Sequence, residues 1–547
     1  MSLTYVTAFL DIYHVTDEEA VIGRTLADRI RHAKLLLATK IPLVIYCSRR
    51  YLTMIQELCA DRVQTEICVL ELEETETYRL LKPLEDRPPS KRSIEKDTFE
   101  FMVLMNAKAE FVAQVAQANP FGTNQFAWID FSIFHVLTNV SRSQRLLEQY
   151  CEQTLEKSLV IPGCWNRGSV SKDAVHWRFC GGFFLGTLGA CLQFYELHKQ
   201  WLPIAFDGIS WEVNYWAHID EQVPSLITWY KADHNDTILE IPMSSFAMPW
   251  LSRLAIKTGA HPYPSLPFMQ PSSSSFLEYQ GQQLLNVRYV NYIQTPEGMY
   301  IINDSHQRLK TENLMMRLTG YEQMEDVCRM TTDASGLFET SDSIQGLEDL
   351  RLYEHEGQLK FIATQCQWSP SRQSRMAIGW IDLVTHQYKN ISILEPPAPT
   401  NCEKNWIPIV HKGQERFIYQ WHPFQIGRVE AGTLVIEQTY ATSDLFTRVR
   451  GSTTFVDIEE GFLGVVHSSE EGRPRHYYHR LVLLDKEDLR PISLSAPFVF
   501  GRIGIEFCIG MAVRGPDLQF WYSQHDRDPV WIVVPREVIP LRSVERS

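Results

Sequence analysis

Two short stretches carry residue types that could do chemistry. The first is Phe126-Ala-Trp-Ile-Asp-Phe-Ser-Ile-Phe-His135, an apolar run ending in one acid, Asp130, with Ser132 beside it. In an open α/β sheet, ligands collect at the carboxyl ends of the strands. An acid next to a hydroxyl there can hold the divalent ion that neutralises a nucleotide diphosphate; a capping Asp after a buried strand has the same spacing. The second is Gly346-Leu-Glu-Asp-Leu-Arg351, where Glu348, Asp349 and Arg351 open an apolar strand. Alternation along a strand sends Asp349 and Arg351 to one face. A guanidinium there keeps a carboxyl ionised, whereas burial and the neighbouring Glu348 push it toward the protonated state a general acid needs.

Three further stretches of the first half supply candidate groups. Trp177-Arg-Phe-Cys-Gly-Gly-Phe-Phe-Leu-Gly186 places paired glycines where backbone must pass close to something, a sugar ring or another strand. Trp211-Glu-Val-Asn-Tyr-Trp216 sets the carboxylate of Glu212 and the amide of Asn214 between aromatic rings, as sugar pockets do. Trp229-Tyr-Lys-Ala-Asp-His-Asn-Asp236 flanks His234 with Asp233 and Asp236 in a segment too polar for a core.

The elements that must position these groups follow from apolar patterning. Residues 5–10 and 41–47 predict buried strands, 67–72 a third, and the run into Asp130 a fourth. Between them, apolar residues at helical spacing predict helices over 17–40, 50–58 and 97–117. Alternating β and α with near-continuous apolar strands predicts a parallel sheet covered on both faces. The GxGxxG loop of dinucleotide enzymes is absent. A nucleotide could still bind at the end of the first strand, where Asp11 can accept from a ribose or base; a surface-turn Asp is the equal alternative.

Length and composition bound the reading. At 547 residues the chain needs two or more domains. The 14 Trp, 22 Tyr and 27 Phe suit carbohydrate surfaces, because sugar CH faces stack on rings, although aromatics also fill cores. A net charge of −14 argues against a nucleic-acid partner. No apolar window is long enough for a transmembrane helix. The start of the chain reads as a strand rather than a signal segment. Eleven scattered cysteines without CxxC pairs read as reduced thiols, and the expectation is a cytoplasmic protein with no persuasive zinc site.

The Pro/Ser-rich stretch 258–275 ends the α/β pattern and reads as a linker. Beyond it a unit recurs: an apolar strand, a tight polar turn, a second apolar strand. Copies begin at Arg288, Asp349, Trp406, Thr454 and Cys508, the spacing of propeller blades. Five copies predict a five-bladed β-propeller, with a β-sandwich as the alternative. Propellers gather ligands on the axis, so the polar residues at blade starts are candidates: Asn291, Glu348, Asp349, Arg351, Glu403, Lys404, Asn405, His422, His467 and Glu506.

The order VTAFLDI, IPLVIYCS, NAKAEF, FAWIDFSI, CGGFFLG, WEVNYWA and WYKADHND resembles the HtrL/YibB-like (WlaTC-type) bacterial glycosyltransferases over roughly residues 1–250. The resemblance implies a GT-A fold, a nucleotide-sugar donor (a UDP-sugar first among them) and a divalent cation, Mn or Mg. It implies Asp130 as the end of the DxD-type motif and His234 as the late metal ligand. Asp11, Lys108 (in Asn106-Ala107-Lys108), Asn214 and Asp233 would surround the donor, and Glu212 would be the base that deprotonates the acceptor hydroxyl. One departure stands: Ile129-Asp130-Phe131-Ser132 holds a single acid.

In the second half, Gly346-Leu-Glu-Asp-Leu-Arg351 resembles the G-x-E-D-P-R of glycoside hydrolase family 130, the mannoside phosphorylases, and of the related β-1,2-mannosyltransferases, with Leu350 in place of the proline. Glu403-Lys-Asn-Trp-Ile-Pro408 and Tyr419-Gln-Trp-His-Pro423 are similar to that family's K-D…F-P…H-R-P. GFLGVVHSS, YYHRLVLLD and LQFWYSQHD, which ends in Asp526, continue the order. The resemblance implies Asp349 as general acid, with Lys404 and His422 on the phosphate side. The arginine expected after His422 is Pro423, and a phosphate site without its bidentate partner is weakened.

The expectation is thus an α/β GT-A-like (Rossmann-like) domain over 1–257, a linker over 258–275 and an all-β five-bladed propeller over 276–547. It would be a bifunctional glycosyltransferase building a surface or capsular glycan, by nucleotide-sugar transfer and by mannosyl-type transfer or phosphorolysis. Its partners would be a nucleotide sugar, a glycan acceptor and, for phosphorolysis, a sugar-1-phosphate. Two alternatives stay open: a single transferase whose propeller only binds the acceptor, and a β-mannoside phosphorylase or hydrolase with a degenerate N-terminal domain.

Overall fold

The computed structural model describes residues 2–14, 16, 23–295, 297–341, 343–472 and 475–544. The chain divides into two compact units, Met1–Ala247 and Met248–Ser547. No helix of the described residues is long and apolar enough to cross a membrane.

In the first unit strands and helices alternate as β1 (Leu3–Phe9), α1 (Leu26–Leu37), β2 (Leu43–Cys47), α2 (Leu52–Leu58), β3 (Thr65–Val69), α3 (Glu76–Leu81), α4 (Phe99–Asn106) and α5 (Lys108–Ala118). There follow β4 (Gln125–Ile129), α6 (Val140–Tyr150), β5 (Leu159–Gly163), β6 (Phe183–Thr187), α7 (Leu188–Trp201), α8 (Glu212–Gln222) and β7 (Ile227–Lys231). The sheet order is β3-β2-β1-β4-β6-β5-β7. β1 to β4 run parallel, as patterning predicts. β6, however, enters between β4 and β5 antiparallel to both, so the sheet is mixed. The cause is legible in the connection: residues 164–182 contain no helix, and a parallel return needs a crossover element.

Alternate residues of β1 serve opposite faces. Val6 and Ala8 join the core beneath α4, α5, α7 and α8, while Tyr5 and Phe9 join the core beneath α1, α2 and α6. The helix predicted over 17–40 begins at a capping box, with Thr25 and Asp28 satisfying each other's backbone donors; residues 17–22 lie outside the described residues. The helix predicted over 97–117 is two. Asn106, fully buried, donates its side-chain amide to Met102 O (2.8 Å) and Ser210 O (3.1 Å), competing with the regular helical ladder just where it breaks. The break makes Lys108 the first residue of α5.

The second unit is an all-β, five-bladed propeller arrangement. Blade I holds strands 270–279, 282–290, 309–319 and 323–329; blade II holds 348–355, 358–365, 375–382 and 387–394; blade III holds 407–411, 414–421, 424–430 and 433–440. Blade IV is built on 450–451, 456–458, 461–470, 476–484 and 491–495, and blade V on 506–514, 517–524 and 527–535. The outermost strand of blade V is Lys257–Gly259, and that of blade IV is Leu541–Ser543.

The stretch read as a linker is therefore part of the propeller, and the two units meet at Ala247/Met248. Ser272, Ser273, Ser274 and Ser275 are buried in the inner strand of blade I. Their small size is what the position needs: a Cβ added at Gly510 of blade V would lie 2.6 Å from Ser274 O, so the two inner strands approach backbone to backbone. Arg288, the first residue of the first repeat, accordingly sits in the second strand of its blade rather than the inner one.

Candidate active sites

The first unit encloses a cavity of about 410 Å³ at the carboxyl ends of β1 and β4. Lys108, Asp130, Gly181, Gly182, Glu212 and His234 all contribute to its lining. Lys108 is buried and organises the wall: its Nζ donates to Gly181 O (2.9 Å) and Glu212 Oε1 (3.1 Å) and lies 3.2 Å from Asp130 Oδ1. Burial opposes the ammonium charge, but Asp130 and Glu212 outweigh it and raise the lysine above its ordinary value. Trp128 Nε1 donates to Asp130 Oδ1 at 2.7 Å, fixing the carboxylate after β4. Glu212 is held at the first turn of α8.

The paired glycines are explained here. A Cβ on Gly181 would lie 2.1 Å from Glu212 Oε1, and one on Gly182 would lie 2.8 Å from Ile133 Cδ1. The backbone thus passes close to a carboxylate and a core side chain. Gly181→Ala is expected to push Glu212 off Lys108, costing about 1–3 kcal/mol of stability. Thermal melting of the variant checks this, and an unchanged melting temperature would disprove the close approach.

The other donor-site candidates divide. Asp11 pairs with Arg50 (2.8 Å), its N–H donates to Ser48 Oγ, and it lies outside the cavity lining. Asn214 is fully buried and saturated: it accepts from His176 N–H and donates to Ser171 O, Ala174 O and Ser210 Oγ, so it ties down a loop instead of facing a donor. Asp233 lines a second, shallower pocket with Cys164, Trp165 and Trp177. His234 borders both pockets. Sequence reasoning passed over Arg24, Arg29 and Lys96, which bring three cations to the cavity. Arg29 lies over the Tyr13 ring and Lys96 over Phe101.

A hard divalent ion does not fit the Asp130/His234 pair. Asp130 Oδ1 already accepts from Trp128 and faces an ammonium, and among the described residues the carboxylate that shares this lysine is Glu212, which the same ammonium holds. His234 Nδ1 lies 3.7 Å from the Cys164 thiol. The positive charge beside Asp130 is supplied by Lys108.

In the propeller, a second polar cluster forms around Arg288, which is buried in blade I. Its guanidinium donates to Asp349 Oδ1 (2.8 Å), Glu348 Oε1 (3.1 Å) and Tyr292 OH (3.4 Å). Lys404 Nζ donates to Glu348 Oε2 (3.2 Å), Ser273 Oγ to Asp349 Oδ1 (3.3 Å), and Tyr292 OH to Asp526 Oδ2 (3.2 Å). The expected pairing of Asp349 with Arg351 on one face is overturned. A bulge between Glu348 and Arg351, with Asp349 at φ +49°, breaks the alternation. Arg351 lies underneath, donating to Ser452 O (2.6 Å), Asp349 O (3.0 Å) and Asn405 Oδ1 (3.0 Å). Burial raises the Asp349 carboxyl, but Arg288, then Arg351 and Lys404, outweigh it and hold the carboxyl below its ordinary value. Asp526 moves the other way, raised chiefly by burial.

The remaining blade-start candidates hold structure. Asn291 bridges Arg308 O and Lys310 N–H. Glu403 accepts from Trp406 Nε1 and Thr400 Oγ1. His422 meets Thr442 Oγ1 and Asp444. His467 bonds Ser452 Oγ, and burial holds it well below the ordinary histidine range. Glu506 accepts from the Phe500, Gly501 and Arg502 N–H groups. The residue missed as a site member, Arg288, had a signal: it is the lone charge in Leu284-Leu-Asn-Val-Arg-Tyr-Val290.

Comparison with known proteins follows this division. Residues 1–158 match the HtrL_YibB family model. That family is described as a bacterial protein of unknown function. No curated protein matches the chain. Similar solved structures include the β-1,2-mannobiose phosphorylase from Listeria innocua in complex with β-1,2-mannobiose, with 12% identity and a TM-score of 0.35, covering 50% of this chain and 93% of that one. Another is MPT-4, a mannose phosphorylase from Leishmania mexicana in complex with phosphate, with 10% identity and a TM-score of 0.34, covering 54% and 93%. The matched model is that of the family whose motifs the first half resembles. A further similar structure is described as belonging to the GH130 family of mannoside phosphorylases, with 12% identity and a TM-score of 0.33, covering 56% of this chain and 98% of that one.

Proposed function

We propose that the chain is a carbohydrate-active enzyme whose N-terminal unit transfers a sugar from a nucleotide-sugar donor to a glycan hydroxyl. The observation that carries this reading is the cavity of about 410 Å³ with a buried lysine bridging two carboxylates and three cations in its lining. Its volume is that of a small-ligand site. Arg24, Arg29 and Lys96 meet the negative charge of a diphosphate, which grows as the sugar bond breaks. Trp177, half-buried in the lining, offers its ring to a base or sugar, while the buried Trp128 and Trp211 form the floor beneath. Glu212 takes the acceptor hydroxyl proton as that oxygen bonds to the anomeric carbon and the nucleoside diphosphate departs.

Incubation with a panel of nucleotide sugars and glycan acceptors, reading nucleotide release, tests the proposal. Glu212→Gln keeps the shape and is expected to slow release about 100- to 10,000-fold. Equal release by the variant, or none from any donor with the wild type, counts against the reading.

A second reading rests on the propeller cluster, in which Arg288 of blade I, Glu348 and Asp349 of blade II, Lys404 at the entry to blade III and Asp526 of blade V surround one point. It makes the propeller a mannoside-processing site, by transfer or hydrolysis. Asp526, the carboxyl pushed toward its protonated form, is the better proton source there, and Asp349 binds sugar hydroxyls as an anion. Turnover of β-mannosides that is lost in Asp526→Asn while nucleotide release persists separates the two sites.

A further inference from the structure

Cys164, Cys180 and His234 present ligand atoms within 4.8 Å of one another, and no other group of three or more His, Cys, Asp or Glu among the described residues does so. The Cys164 and Cys180 Sγ atoms are 3.6 Å apart, and Cys164 Sγ lies 3.7 Å from His234 Nδ1. Asp233 Oδ1 lies 3.9 Å from both Cys164 Sγ and His234 Nδ1. A tetrahedron with metal–ligand bonds of about 2.0–2.3 Å has edges of about 3.3–3.8 Å. The Cys164–Cys180 and Cys164–His234 separations already match those edges, the third pair of ligand atoms is within 4.8 Å, and Asp233 stands just outside this group, on the Cys164 and His234 side.

The backbone holds them there. Cys164 follows β5, Cys180 precedes β6, and Asp233 and His234 follow β7. Cys180 N–H donates to Pro162 O (2.7 Å), Ala232 N–H to Gly163 O (2.8 Å), and Cys164 N–H to Trp177 O (3.0 Å), so three strand ends converge without help from an ion. Gly163 permits this: a Cβ there would lie 1.7 Å from Arg178 O. Asp233 also accepts from His234 N–H, which fixes the carboxylate beside the imidazole.

We propose that these residues form a binding site for a soft divalent cation of the zinc class, with Cys164, Cys180 and His234 as ligands and Asp233 or water as the fourth. Two thiolates and an imidazole select such an ion over Mg or Mn. Burial pushes both thiols up, so each carries its proton when no cation is present. Binding then forms two metal–sulfur bonds and releases two protons to solvent, which makes affinity rise steeply with pH. An ion there ties the ends of β5, β6 and β7 together and fixes His234 against the edge of Trp177, whose ring centroid is 4.5 Å away, on the wall of the cavity.

The test uses the full chain, freed of metal and titrated with Zn²⁺ and, for spectroscopy, with Co²⁺. About one equivalent is expected to bind, with thiolate-to-cobalt charge-transfer absorption and the intense visible bands of a tetrahedral ion. Cys180→Ser and His234→Ala are each expected to weaken binding at least about 100-fold, whereas Cys191→Ser, at a buried thiol elsewhere, leaves it unchanged. Because a variant could fail to fold, a second measurement uses the unaltered chain: Zn²⁺, but not Mg²⁺, slows alkylation of Cys164. A cobalt complex without thiolate absorption overturns the proposal. So does alkylation of Cys164 that Zn²⁺ does not change, or a Cys164–Cys180 disulfide in the purified protein in place of bound metal.

Discussion

Lys108→Met is expected to cost the N-terminal unit about 3–5 kcal/mol and to silence its cavity. Methionine matches the lysine stem in length, so little packing is lost. What is lost is the ammonium between Asp130 and Glu212, 3.2 and 3.1 Å away, and the donor to Gly181 O. Glu212 is left buried beside a second acid without a countercharge, a far larger penalty than the mutual attraction of an exposed pair. For a unit of this size the melting temperature falls by on the order of 10 °C. Adding Glu212→Gln to the variant removes one of the orphaned charges and is expected to restore part of the loss, which a double-mutant cycle reads directly. A single-variant loss under about 1 kcal/mol would mean that water already reaches the pair.

Arg288→Met is the corresponding experiment in the propeller, again with an expected loss of about 3–5 kcal/mol near neutral pH. Here pH supplies the sharper signature. In the wild type Asp349 is held below its ordinary 3.8, so its contribution to stability is present above that value and disappears as pH falls through the lower folded value. Without Arg288, burial is opposed by Arg351, Lys404 and the Ser273 hydroxyl alone among the contacts described above, and the carboxyl moves upward. The variant then regains stability relative to the wild type as pH falls from about 7 toward about 4. Denaturant unfolding at several pH values measures the difference between the two chains. A difference that stays flat across that range would show that Asp349 does not depend on Arg288.

Much of this arrangement was legible in the sequence, and the failures have local causes. Apolar runs at β1, β2 and β4 are buried on both faces, so composition alone marks them. Asp130 stood out because it ends such a run. Gly181 and Gly182 announced a close approach, although only the fold could say that Glu212 and Ile133 were what came close. Asp349 and Arg351 were misplaced because alternation assumes a regular strand, and one bulge with a positive φ cancels it. Asn214 looked like a sugar ligand because amides serve equally well to tie loops, and its four partners are all distant or local groups that periodicity cannot reveal. Ser272 to Ser275 resembled a linker for a related reason: a tightly packed inner strand asks for small side chains, and so does a flexible tether. Cys164, Cys180 and His234 are spread over about seventy residues, and only the convergence of three strand ends makes them neighbours.

The two outermost strands of the propeller carry a consequence for how the chain is made. Gly259 pairs with Trp531, about 270 residues later. At 5–20 residues per second, Lys257–Gly259 waits roughly 15–50 s after synthesis before its partner exists. Blade IV has a much shorter delay, since its edge strand, 491–495, is covered by 541–543, about 50 residues and roughly 2–10 s later. The ring therefore cannot close on a ribosome that has made only the first four blades, whereas the α/β unit has everything it needs before blade I begins. The polar Lys257-Thr258-Gly259 is a suitable sequence for so long a wait, because an unpaired charged strand is a poor template for the wrong neighbour.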